Sequence, residues 1–116
     1  MGEHTYKFYR GAQLLGVVEH TGCEQPWHEG TFQPAPGFEG VRRLFEEELA
    51  QIDGDGIRTG AWKEAWGRVK APGLRLVSEH DGQLIWGGEH PMLIHIRGTR
   101  ATWRGQRYIP QLGRWV

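Results

Sequence analysis

His20, Cys23 and His28 lie within nine residues of one another, with Glu24 and Glu29 between and beside them. These are the side-chain types that bind zinc or form a thiol–imidazole pair. A structural zinc site, however, takes four ligands from tighter paired spacings, and a nucleophilic cysteine must touch its histidine. The plainer reading is a solvated loop in which Cys23 is a small apolar filler, so His20, Cys23 and His28 are outside candidates for a metal and no cofactor is expected. Asp53, Asp55 and Glu64 occupy positions 1, 3 and 12 of a calcium loop, but Ile57 at position 5 offers no oxygen and Arg58 stands where the loop needs glycine. The D-G-D-G run reads instead as a turn chosen for backbone freedom. Gly54, Gly56 and Gly60 miss the phosphate-cradling spacing, and no P-loop lysine accompanies them.

The remaining chemistry is basic and aromatic. Arg97, Arg100, Arg104 and Arg107 are interleaved with Trp103 and Tyr108. Such a run can hold phosphates while its aromatics stack bases. On a strand, Arg100, Thr102 and Arg104 share one face and Ala101 and Trp103 the other, which turns Trp103 inward. Among the six tryptophans, Trp62 and Trp66 fall one helical turn apart beside Val69 and read as core. Trp27, Trp86 and Trp115 are less constrained, and an exposed one would mark an interface. No Ser-His-Asp order, HExxH or paired carboxylate is evident.

The elements that position these residues follow from periodicity. Phe38, Val41, Phe45, Leu49 and Ile52 recur at helical spacing, widened by Leu44 and Ala50. Arg42, Arg43, Glu46, Glu47 and Glu48 fill the opposite side, where Arg42 pairs with Glu46 and Arg43 with Glu47. Pro36 suits the first turn and Gly54 a left-handed stop. Before this helix, Pro26, Trp27, Gly30, Phe32, Pro34 and Pro36 alternate breakers with aromatics and form a rigid lead-in, with a tight turn at Gly30. A second helix over about 61–70 follows a Thr59 cap. Strands are predicted over 6–10, 14–20 (apolar on both faces, hence central), 31–33, 74–80, 84–86, 92–97 and 101–104, with an edge strand at 107–109 before Pro110. Residues 21–25 read as a loop.

At 116 residues the chain is expected to form one domain with a true core. Eighteen glycines imply many turns and short strands. The net charge is zero, so no global field draws the chain to nucleic acid or membrane. The charge is uneven all the same: residues 1–58 carry ten acidic and five basic side chains, residues 59–116 four and nine. A single cysteine forbids an internal disulfide and fits a reducing compartment. No apolar run is long enough to span a membrane, and the N-terminus lacks an apolar signal core. Gly2 hints at myristoylation, but Tyr6 stands at the Ser/Thr position of that motif. A cytoplasmic location is the expectation.

The R-G-x-x-L-L-G turn at 10–16, followed by P-W-x-x-G-x-F-x-P at 26–34 and F-E-x-V-R-x-L-F-E-E-E at 38–48, resembles a group of small uncharacterised bacterial proteins. The likeness continues through Trp62 and Trp66, G-L-R-L-V at 73–77 and L-I-H-I at 93–96. It covers about 6–104, leaving 105–116 as an extension. It implies a bacterial source and a standalone domain, and it carries no activity. The combined expectation is an α+β domain, an antiparallel sheet of five to seven short strands with two helices on one face. Its function is non-catalytic binding of another protein through Trp27, Trp86, Arg97, Arg100, Arg104, Arg107 and Tyr108. Nucleic-acid binding through the same arginines is the alternative, and a metal- or thiol-dependent enzyme the third.

Overall fold

The computed structural model describes residues 4–116; the Gly2 motif lies outside them. Strands β1 (Thr5–Arg10), β2 (Gln13–Glu24) and β3 (Trp27–Pro34) form a meander. A 3₁₀ turn (Pro36–Phe38) then leads into α1 (Arg42–Asp53), the single turn α2 (Gly56–Thr59) and α3 (Ala61–Lys70). Four further strands follow, β4 (Leu74–Ser78), β5 (Leu84–Gly87), β6 (Met92–Arg97) and β7 (Arg100–Gly105), then a small ribbon of β8 (Tyr108–Ile109) and β9 (Arg114–Trp115). The seven longer strands make one sheet in the order β5-β4-β1-β2-β3-β7-β6. Every pairing is antiparallel. The α+β expectation holds, and β2 is the middle strand.

The sheet is curled. Between β5 and β7 lie four other strands, which in a flat sheet would hold them about 24 Å apart. Yet Trp86 of β5 and Trp103 of β7 meet edge to face at 5.5 Å. Inward-facing side chains therefore fill a trough. At one end Phe8 and Phe32 meet Phe45 and Phe38, which α1 and its lead-in supply. At the other end Tyr6, Trp86 and Trp103 are almost wholly buried. Arg10 donates to the Val69 and Arg68 carbonyls at the end of α3, both at 2.9 Å, a cation where the helix dipole favours one.

Several local expectations are corrected. Residues 21–25 are not a loop, because β2 runs on to Glu24 and pairs with β3 past a bulge between His20 and Gly22. Gly30 is not a turn. It sits inside β3 opposite His20, where an added Cβ would lie 2.1 Å from the Glu19 carbonyl oxygen. α1 begins at Arg42, with Pro36 in the separate 3₁₀ turn. Gly54 ends the helix at φ −100°, not in the left-handed region. Arg42 pairs with Glu39 at 2.5 Å instead of Glu46. Residues 105–116 do not extend the main sheet; they form the β8–β9 ribbon, tied back to β5 by a bridge between Arg107 and Trp86. Among the described residues no helix is long and apolar enough to cross a membrane.

Candidate functional site

Strand alternation sends Ile94 and Ile96 of β6 into the core and His95 to the outer face. The same alternation in β7 buries Ala101 and Trp103 and turns Arg100, Thr102 and Arg104 outward. Register aligns Glu29, Thr102 and His95 in one row across β3, β7 and β6. Thr31, Arg100 and Arg97 form the next row. The result is a groove of about 410 Å³ lined by Glu24, Gln25, Trp27, His28, Glu29, His95, Arg100 and Thr102. A smaller hollow of about 220 Å³ continues past His95, Arg100 and Thr102 to Arg97 and to Leu49 and Ile52 of α1.

His95 is anchored from behind. α1 runs beside β6, and Glu48 reaches the outer side of that strand while Phe45 faces the core. The Glu48 side chain is 0% exposed. Its Oε1 lies 2.9 Å from His95 Nδ1, and its Oε2 accepts from Trp62 Nε1 at 2.6 Å. A carboxylate can only accept, so the shared proton belongs on Nδ1, which in the neutral ring leaves Nε2 as the acceptor. The ring lies 5.5 Å from Trp27, tilted by 31°, and the Arg104 guanidinium lies over the Trp27 ring, 5.6 Å from its centroid, as a cation–π contact.

The charges in the groove are mixed. Arg100 meets Glu29 at 2.6 Å, and Arg97 makes two bonds to Asp53 at 2.9 and 3.0 Å. The Arg97 hydrogen bond holds the Asp53 carboxyl below its usual range. Both pairs are solvent-exposed, so each adds little to stability and can be exchanged for a ligand's charges.

The predicted binding residues thus separate. Trp27, Arg97, Arg100 and Arg104 share the outer face. Trp86 is 0% exposed and is excluded from any surface, because the curl seals it against Trp103. Arg107 lies over the Trp86 ring at 5.1 Å, at the inner end of the trough. Tyr108 belongs to the ribbon, edge-on to Trp115 at 5.7 Å, and Trp115 stacks on His90 at 3.9 Å.

Of His20, Cys23 and His28, only the two histidines are in hydrogen-bond contact. Cys23 stands directly opposite His28 in the β2–β3 ladder, but it is exposed and free. His20 and His28 turn inward against Trp86 and Trp103, with His28 Nδ1 at 3.2 Å from His20 Nε2. Burial, then the neighbouring His20 and Arg107, lower the His28 pKa to about 4; burial likewise lowers His20. Among the described residues no three His, Cys, Asp or Glu side chains converge as metal ligands.

Sequence reasoning singles out neither Glu48 nor His95. Glu48 falls among three consecutive glutamates on the polar side of the helix, although its position three after Phe45 borders the apolar stripe. No family model, curated protein or solved structure matches the chain, so the functional reading rests on this geometry.

Proposed function

We propose that the protein is a non-catalytic binding module whose outer groove takes an extended segment of another protein. The observation that carries this reading is the alternation of acid and base beside a flat aromatic wall. Glu29 pairs with Arg100, Glu24 lines the same groove, Arg97 lines the hollow that continues it, and Arg104 lies over the Trp27 ring beside His95. A polypeptide offers both signs of charge, backbone donors and acceptors, and side chains to lay on an indole. His95 adds an acceptor locked in orientation by Glu48, which costs less to engage than a free side chain. No hydroxyl or thiol is hydrogen-bonded to His95 Nε2 among the described residues, which favours binding over nucleophilic catalysis.

A nucleic acid is the second reading, because Arg97, Arg100 and Arg104 do share one face. It is weaker because Arg97 and Arg100 are already paired with Asp53 and Glu29, and a phosphate backbone would meet Glu24 and Glu29 as well. A bacterial source and a cytoplasmic setting belong to the same proposal; the exposed thiol of Cys23 suits a reducing compartment.

The test is selection of random displayed peptides on the immobilised protein, followed by calorimetry on the enriched sequences. Peptides carrying both charge signs, bound at least tenfold more weakly by Trp27→Ala of unchanged circular dichroism, are the expected result. Failure to enrich any Trp27-dependent peptide, with tight and steeply salt-dependent binding of a single-stranded oligonucleotide, would overturn it in favour of the second reading.

A further inference from the structure

At the inner end of the trough the donors outnumber the acceptors. Trp86 and Trp103 are both 0% exposed, and among the described residues their Nε1–H groups have no partner; neither has Arg107 Nε. A buried donor left unpaired costs about 1–3 kcal/mol, so three in one place call for an explanation. The rings crowd together: Trp86 is 5.5 Å from Trp103, and His28 is 5.0 Å from Trp86 and 5.8 Å from Trp103.

The histidines add a fourth donor. His20 Nε2 lies 2.9 Å from the Gly22 carbonyl and 3.2 Å from His28 Nδ1. A carbonyl only accepts, so His20 Nε2 carries the proton and His28 Nδ1 receives it. Neutral His28 then holds its own proton on Nε2, for which no protein acceptor is present among the described residues. Arg107 forms no ion pair with a described side chain. Its guanidinium lies against the Trp86 face and the Tyr6 hydroxyl. His28 and Arg107 both line an opening of about 750 Å³ whose side chains include Arg104 and Gln106 but no Asp or Glu. At its rim the Arg107 N–H donates to the Val116 main-chain oxygen at 2.9 Å.

We infer that this end of the trough binds a small oxyanion, a carboxylate or a phosphate group, through Arg107 and His28 at the opening, with the indole N–H groups of Trp86 and Trp103 behind them. Arginine and imidazole donors that face no side-chain carboxylate, with aromatic walls behind them, suit planar or tetrahedral oxygens. The same set offers nothing to a cation. Trp86, Trp103 and Arg107 belong to the inner side of the sheet and Arg97, Arg100 and Glu29 of the groove to the outer side, while Gln25 and His28 line both openings.

The experiment is a titration of ¹⁵N-labelled protein with inorganic phosphate and, separately, acetate at constant ionic strength, following the indole N–H resonances. Saturable downfield shifts of the Trp86 and Trp103 signals are expected, weakened at least tenfold by Arg107→Gln and unchanged by Arg97→Gln, which removes the same charge from the outer face. Tighter phosphate binding identifies a phosphate ligand and tighter acetate binding a carboxylate; either supports the site. Assignment uses Trp86→Phe and Trp103→Phe, or through-space contacts to His28 where those variants do not fold. A rise in melting temperature with phosphate, absent in Arg107→Lys, is the second readout. Shifts that are linear, absent with both anions or equal in the Arg107→Gln protein would overturn the inference and leave those donors to water.

Discussion

Replacing Glu48 with alanine removes the acceptor of two donors at once, Trp62 Nε1–H and His95 Nδ1–H. Each donor left unsatisfied costs about 1–3 kcal/mol. His95 is 15% exposed and Trp62 half-buried, so water reaches both in part and the combined loss is about 2–4 kcal/mol. For a chain of 116 residues that corresponds to a fall in Tm of roughly 8–16 °C. The comparison is Glu47→Ala, one residue away, whose carboxylate stands 3.9 Å from Arg68 with both side chains about half exposed; its loss is at most about 0.5 kcal/mol. Glu48→Gln is the sharper variant. Its amide oxygen accepts from Trp62 and its NH₂ donates to His95 Nδ1, so stability falls by only about 1 kcal/mol, while the imidazole proton moves to Nε2. Denaturant titrations followed by tryptophan fluorescence give the energies, and ¹⁵N shifts of the His95 ring give the tautomer. If Glu48→Ala unfolds no more easily than Glu47→Ala, the buried carboxylate is not the anchor of His95, and the groove loses its oriented acceptor.

Other perturbations follow from the same geometry. His28 has a folded pKa of about 4 against 6.5, so the unfolded chain takes up its proton first; the contribution of neutral His28 is complete above pH 6.5 and is lost as pH falls toward 4. Stability measured across that window should decline more steeply in the wild type than in His28→Gln. Gly30→Ala places a methyl 2.1 Å from the Glu19 carbonyl oxygen and should cost about 1–3 kcal/mol or more in chemical denaturation, whereas Gly67→Ala, with nothing within 4 Å, should stabilise α3 by up to about 1 kcal/mol. Arg97→Ala breaks an exposed pair and should leave stability nearly unchanged in denaturant titration, yet weaken groove ligands in calorimetry. Zinc added to the protein should leave thermal unfolding the same in wild type and Cys23→Ala, since Cys23 is exposed and no third ligand joins it and the histidines among the described residues.

Alternation and helical spacing make the strands of the sheet, both longer helices and the inward turn of Trp103 legible from residue types alone, because those signals are local. The hairpin over 20–30 is not, since Thr21, Gly22 and Cys23 lack an apolar alternation and Pro26 reads as a breaker. Their extended form is imposed by pairing with β3. Glu48 is hidden for the same reason: its partners lie 14 and 47 residues further on, and nothing in E-E-E distinguishes the third acid from its neighbours. Trp86 reads as a free aromatic until the curl presses β5 toward β7. The outer face of β7 could be foreseen, but that Trp27 and His95 would join it depended on strand order, which composition does not encode.

The two outer strands of the sheet are stoppered by different parts of the chain. α1, made before β6, lies beside that strand. The other border, β5, is met by Arg107 through its bridge to Trp86, and so waits for residues that follow the whole sheet. During synthesis the outer edge of β5 is therefore the last in the sheet to be covered, and until then its unpaired amides and carbonyls are a template on which a second nascent chain can pair. A chain stopped at Gly105 should accordingly suffer first from self-association in concentrated solution, before any loss of its secondary structure.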